Sequence, residues 1–205
     1  MKIICSGGLG DAVMILGKLY SPELINKNIQ LIHLHKNGIL NKELTEFYSF
    51  FKINAKVINE DFSWIDEHRN EYDLELSSDY KGINPFPKLN YQKIENIDIV
   101  MCLVAGQRKD RNLNTRGMED FVKDKKITRI GNGETLTEAI NIICSANIII
   151  SPEGFVTYMG GLAGKRVFIY NHNVKAIDER AHPAWKVKLF DSLNEINELL
   201  QRSQK

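Results

Sequence analysis

The sequence predicts an α/β protein made of two small, Rossmann-like, doubly wound domains that face each other across a cleft. Three observations predict it. Short apolar runs alternate with segments whose apolar residues recur at helical spacing. The alternation stops at a proline-containing stretch and then starts again. Two glycine-bearing turns each follow a strand directly and open a helix, which is where doubly wound sheets bind ligands.

The elements follow in order. Lys2–Ser6 reads as a short buried strand, and Ala12–Tyr20 carries Val13, Ile15, Leu16 and Leu19 on one helical face. Ile29–His35 alternates with period two, and Leu40–Phe51 returns to helical spacing through Leu40, Leu44, Phe47 and Phe51. Ala55–Ile58 is strand-like, Trp64–Tyr72 reads as helix and Asp73–Ser77 as strand. Pro85 and Pro87, with Gly82, then break the pattern. This sets the first domain at residues 1–82, a linker at 83–97 and the second domain at 98–205.

In the second half Asp98–Ala105 is a buried strand, Ile127–Gly131 a short strand and Thr137–Ala146 a helix. Asn147–Ser151 (strand), Phe155–Ala163 (helix) and Arg166–Tyr170 (strand) follow. Val187–Phe190 is the final strand, and Ser192–Gln201 the closing helix.

Composition narrows the class. With 205 residues, 43% hydrophobic and 26% charged, the chain suits an ordinary globular protein of one large or two small domains. A net charge of +1 demands neither nucleic acid nor an anionic membrane. Cys5, Cys102 and Cys144 lie far apart in apolar runs, without metal-like spacing, and read as buried free thiols. No long apolar run or cleavage pattern follows Met1-Lys2, so the expected location is the cytoplasm, with no transmembrane segment.

The chemistry concentrates at strand ends. Gly7, Gly8 and Gly10 allow a tight turn and close approach of a ligand, and their amides open a helix whose N-terminus favours an anion. The stretch lacks the third glycine of a dinucleotide fingerprint and the Gly-Lys-Ser/Thr of a P-loop. Asp11 has two readings: a helix-start capping residue, or a carboxylate able to take a proton from an acceptor hydroxyl. Arg108, Lys109 and Arg111 cluster after a strand, as a solvated loop or as the cradle of a diphosphate leaving group. Glu153 and Gly154 form the second turn. The Gly154 amide suits a phosphate, and Glu153 either complements the helix N-terminus or accepts from ribose hydroxyls. His33 and His35 share a strand face but have no visible third metal ligand, so no metal site is expected. Trp185, with His172 and His182 nearby, reads as a stacking platform or as core.

Gly8-Leu9-Gly10-Asp11 is similar to the opening loop of the lipopolysaccharide heptosyltransferase group of glycosyltransferases, which use ADP-heptose and have the two-domain GT-B fold. The segment from Leu136 to Tyr170 resembles that group's C-terminal signature. The resemblance implies an inverting, metal-independent sugar transfer with a nucleotide-sugar as co-substrate and no cofactor. Residues 1–82 would then be the acceptor side and residues 98–205 the donor side. It places the catalytic base at Asp11, a phosphate contact at Arg111 and the donor turn at Glu153-Gly154. Pro152-Glu153-Gly154 replaces the group's Asp-Thr-Gly, and Thr157 stands where a histidine is usual. The chain is also short for the group. The expected enzyme is therefore a trimmed glycosyltransferase whose acceptor is a saccharide, a glycolipid or a hydroxymethylated base in viral DNA. Two other classes stay open: an inactive nucleotide-binding regulatory module, and a nucleotide-sugar epimerase.

Overall fold

The computed structural model describes residues 1–36, 38, 40–61, 63–102, 121, 125–131, 133–170, 181–190 and 193–202. The chain divides into two compact units, Met1–Asn90 and Tyr91–Lys205. The division falls inside the stretch expected to be a linker, and that stretch is tied down at both ends. Ile83 is buried and Asn84 N–H donates to Gly17 O in the first unit. In the second unit, Gln92 N–H donates to Asn141 Oδ1 and Ile94 N–H to Ser145 Oγ.

The first unit runs β1 (Lys2–Ser6), α1 (Leu9–Leu19), β2 (Gln30–Leu34), α2 (Asn41–Phe50), β3 (Ala55–Ile58), α3 (Ser63–Glu67), a 3₁₀ turn (Arg69–Glu71) and β4 (Leu74–Leu76). All pairings are parallel, in the order β3-β2-β1-β4. The chain grows outward from β1 through β2 and β3, then returns to the other side of β1. The sheet therefore reverses direction between β1 and β4. Eight consecutive residues of α1, Ala12–Leu19, are buried, so this helix is covered nearly all round. Its one buried cation, Lys18, bonds Asp79 Oδ1 at 2.7 Å and Ser77 Oγ at 3.3 Å. Burial opposes ionisation of Asp79, but Lys18, Ser77 and the Lys81 N–H outweigh it and hold the carboxyl below its usual range.

Trp64–Tyr72, expected as one helix, is instead α3 followed by the 3₁₀ turn. His68 Nδ1 bonds Trp64 O at 2.9 Å while its ring stacks on the indole at 4.0 Å, and the chain tightens there.

The second unit runs β5 (Ile99–Cys102), β6 (Ile127–Ile130), α4 (Leu136–Ser145), β7 (Ile148–Ser151), α5 (Phe155–Leu162), β8 (Arg166–Tyr170), β9 (Val187–Phe190) and α6 (Leu193–Arg202). Its parallel sheet has the order β6-β5-β7-β8-β9, so growth reverses between β5 and β7. Both of those strands are buried at every residue, as expected for strands covered on both faces. One face carries Ile99, Met101, Ile148, Ile150, Phe168 and Phe190, which pack with Phe121 and with Ile196 of α6. On α5 two glycines let the backbone press close. A Cβ on Gly160 would strike Ile149 and approach Val167 Cγ2 to 3.0 Å, and one on Gly161 would lie 2.5 Å from the Trp185 ring. Trp185, with 5% of its surface exposed, is thus a packing residue against Gly161. The three cysteines are buried and free, as expected. Among the described residues, no helix is long and apolar enough to cross a membrane.

Gly161→Ala should lower unfolding stability by about 1–3 kcal/mol, the usual cost of forcing a methyl into a filled core. Urea titration followed by tryptophan fluorescence reads this directly. A Gly161→Ala, Trp185→Leu double variant should lose less than the two single changes together.

Candidate functional site

In a doubly wound sheet, ligands meet the carboxyl ends of the strands where the strand order reverses. In the first unit that point lies between β1 and β4, so the loop leaving β1 is the one that matters. In the second it lies between β5 and β7, and the turn leaving β7 is Pro152-Glu153-Gly154. Both glycine turns singled out from sequence therefore occupy reversal points of their own sheets.

At the first turn β1 ends at Ser6, and Gly7 adopts φ +127°, a backbone state open to glycine. Gly8 is the N-cap of α1, and its N–H donates to Asp11 Oδ2 at 2.8 Å. Asp11 thus stands in the helix's first turn and satisfies an amide that has no partner inside the helix. A Cβ on Gly7 would collide with this carboxylate, so the residue is glycine for space as well as for conformation.

The turn is held from below by β2. Gly7 N–H donates to Leu34 O at 3.1 Å. Gly7 O receives two ring nitrogens, His33 Nε2 at 2.9 Å and His35 Nδ1 at 3.0 Å. A carbonyl only accepts, so both of these nitrogens carry the hydrogen. Neutral His33 is then an acceptor at Nδ1, and the Tyr48 hydroxyl donates to it at 2.6 Å. His33 of β2 and His35, just past the end of that strand, therefore converge on one backbone carbonyl. Among the described residues, no group of three His, Cys, Asp or Glu is placed to hold a metal ion.

Cys5 Sγ lies 3.2 Å from His33 Nδ1, a pairing that in an exposed site would suggest a nucleophile. Burial reverses that reading. It pushes the Cys5 thiol far above its ordinary range, raises Tyr48 and lowers His33, so all three stay neutral. The thiol bonds Ile32 O at 3.7 Å instead. Sequence reasoning singled out His33 and His35 but not Tyr48 or Cys5 as their partners. Period-two alternation reveals which residues share a face, not what that face meets.

At the second turn Gly154 caps α5 with φ +155°. The polar side chains here bond to one another. Thr157 donates to Pro152 O at 2.9 Å and Ser151 Oγ donates to Thr157 Oγ1 at 2.9 Å; neither side chain reaches the surface. Tyr158 donates to Glu153 Oε1 at 2.5 Å, and Glu153 is 5% exposed. Thr157 thus braces the turn from inside, and Glu153 lies within it. Arg108, Lys109, Arg111 and His172 fall outside the described residues.

The His33 proton balance gives a testable pH dependence. Its folded pKa lies below the unfolded value near 6.5, so the unfolded chain binds more protons as pH falls through that region. Stability present at neutral pH should therefore decline as pH falls from about 7.5 to 5.5. A His33→Gln variant should lose that part of the slope in thermal melts across the range.

No protein-family model and no curated protein matches the chain. Solved structures do. Heptosyltransferase II of E. coli, an ADP-heptose lipopolysaccharide heptosyltransferase, superposes with a TM-score of 0.61 at 11% identity, over 100% of each chain. E. coli heptosyltransferase WaaC with ADP-2-deoxy-2-fluoro heptose gives 0.62 at 9% identity, over 99% of this chain and 100% of that one. A glycosyl transferase family 9 protein from Veillonella parvula gives 0.54 at 9% identity, over 98% and 89%. The likeness carried by two short motifs thus extends to the fold of the whole chain, which is the Rossmann-like α/β fold of the heptosyltransferases.

Proposed function

We propose that the protein is a glycosyltransferase moving a sugar from a nucleotide-sugar donor to an acceptor hydroxyl by metal-independent inverting displacement. The observation that carries this reading is the fold likeness over the full chain, together with a glycine turn at each sheet's reversal point. Asp11 is the base. It takes the proton of the acceptor hydroxyl as that oxygen attacks the anomeric carbon, and the bond from that carbon to the diphosphate oxygen breaks. The electron pair leaves with the nucleoside diphosphate, and attack from the opposite face inverts the centre. The bond from Gly8 N–H fixes the direction of the Asp11 side chain, while Gly8 and Gly10 put no side chain of their own beside that carboxylate.

On the donor side, Arg108, Lys109 and Arg111 neutralise the departing diphosphate, and amides at Gly154 cap a phosphate. Glu153 and Thr157 shape that turn. WaaC is solved with ADP and with ADP-2-deoxy-2-fluoro heptose, so adenosine diphosphate sugars are the first donors to try. Acceptors to test are saccharides, glycolipids and DNA containing a hydroxymethylated base. One observation favours a second reading, a nucleotide-binding module without turnover: the Glu153 carboxylate is engaged by Tyr158 inside its turn.

The test pairs binding with turnover. A nucleoside diphosphate that binds the native state must raise the melting temperature, and it should do so equally in wild type and Asp11→Asn. Transfer should fall by about 10²–10⁴-fold in Asp11→Asn, the usual weight of a general base. A shift with no donor consumption in any acceptor's presence would favour the module. Donor conversion without an acceptor would favour an epimerase. No shift with any nucleotide would sink the donor-site reading.

A further inference from the structure

We propose that His33 and His35 are positioning residues that aim Asp11 through the Gly7–Gly8 peptide group, a role that rests on the reading of Asp11 as the base. Gly7 C=O and Gly8 N–H belong to the same planar peptide, and in a trans peptide they point to opposite sides. The carbonyl is gripped by two ring N–H groups, from His33 Nε2 and His35 Nδ1. The amide on the far side meets Asp11 Oδ2 at 2.8 Å. Rotating this peptide to release Asp11 would break both histidine bonds at once. The N–H of Gly7 is tied to Leu34 O, between the two histidines in sequence, so the end of β2 and the residue after it hold the turn at three points.

The arrangement exceeds what chain continuity needs. One donor satisfies a carbonyl at a strand end, whereas here two imidazoles are spent on one oxygen. Donation into the carbonyl also polarises the peptide, which strengthens the N–H as a donor to a carboxylate. Tyr48 completes the device. By donating to His33 Nδ1 it selects the tautomer whose Nε2 carries hydrogen, the form Gly7 O requires. The ionisable groups in this stack are Cys5, His33, His35, Tyr48 and Asp11; His33, His35 and Tyr48 hold the peptide that meets Asp11, while the Cys5 thiol bonds Ile32 O.

The test uses the full-length protein and three variants. His35→Leu removes one donor from a half-buried position, and His35→Asn keeps an N–H where Nδ1 stood. Tyr48→Phe preserves the buried ring and removes only the tautomer-selecting hydroxyl. The first readout is the Gly8 amide proton in an isotope-labelled sample, which needs no turnover. His35→Leu and Tyr48→Phe should move it upfield, away from a carboxylate-bonded position, and His35→Asn should restore it. The second readout is sugar transfer. In the two disrupting variants kcat should fall about 10–100-fold, the scale of a misplaced reacting group, while the KM for donor stays within about twofold, on the same principle that orientation and not binding is lost. An unmoved Gly8 amide in both disrupting variants would overturn the proposal, as would a moved amide with unchanged kcat. If the wild type transfers no sugar, the glycosyltransferase reading fails by itself, and the amide comparison still decides whether the histidines aim Asp11.

Discussion

In each unit a parallel strand with a buried centre must hand the chain to a helix start without leaving backbone groups unpaired. A buried carbonyl or amide without a partner costs about 1–3 kcal/mol, so these turns are where the fold is most constrained. The units meet the constraint differently. After β1 the partners come from a neighbouring strand: Leu34 O accepts from Gly7, and His33 and His35 donate to its carbonyl. After β7 the partner comes from the next helix, with Thr157 Oγ1 donating to Pro152 O, while Tyr158 OH holds the Glu153 side chain.

One consequence concerns charge. Beneath the first turn, Cys5, Tyr48 and His33 are ionisable in principle, but burial drives each toward its neutral form. The interior under Asp11 therefore holds no formal charge from these three groups, and their hydrogen bonds fix orientation. The second turn follows the same economy. Its side-chain hydroxyls bond one another, the Pro152 carbonyl and the Glu153 carboxylate.

Packing carries the rest. The closeness of α5 to its sheet comes from Gly160 over Ile149 and Val167, and from Gly161 under Trp185. At the other end of the first unit's leading helix, Lys18 reaches Ser77 and Asp79 just beyond β4. The helix that presents Asp11 is thus anchored at its start by β2 and near its end by the segment after β4.

Much of this is legible without coordinates. Periodicity placed nearly every strand and helix, because a buried parallel strand must be apolar throughout and a covering helix must repeat near 3.6 residues. Glycines after a strand marked Gly7–Asp11 and Pro152–Gly154 as strand-to-helix turns; positive φ is found at Gly7 and Gly154, and α1 already starts at Leu9. Periodicity did not foresee the break at His68, where a side chain competes for a carbonyl within one turn. Nor did it pair His33 with Tyr48, or Gly161 with Trp185, although each residue was visible. Local spacing determines which face of an element a residue occupies, and so the class of fold. Which polar groups meet at the end of a strand depends on register between segments far apart in sequence, and only the tertiary structure decides that.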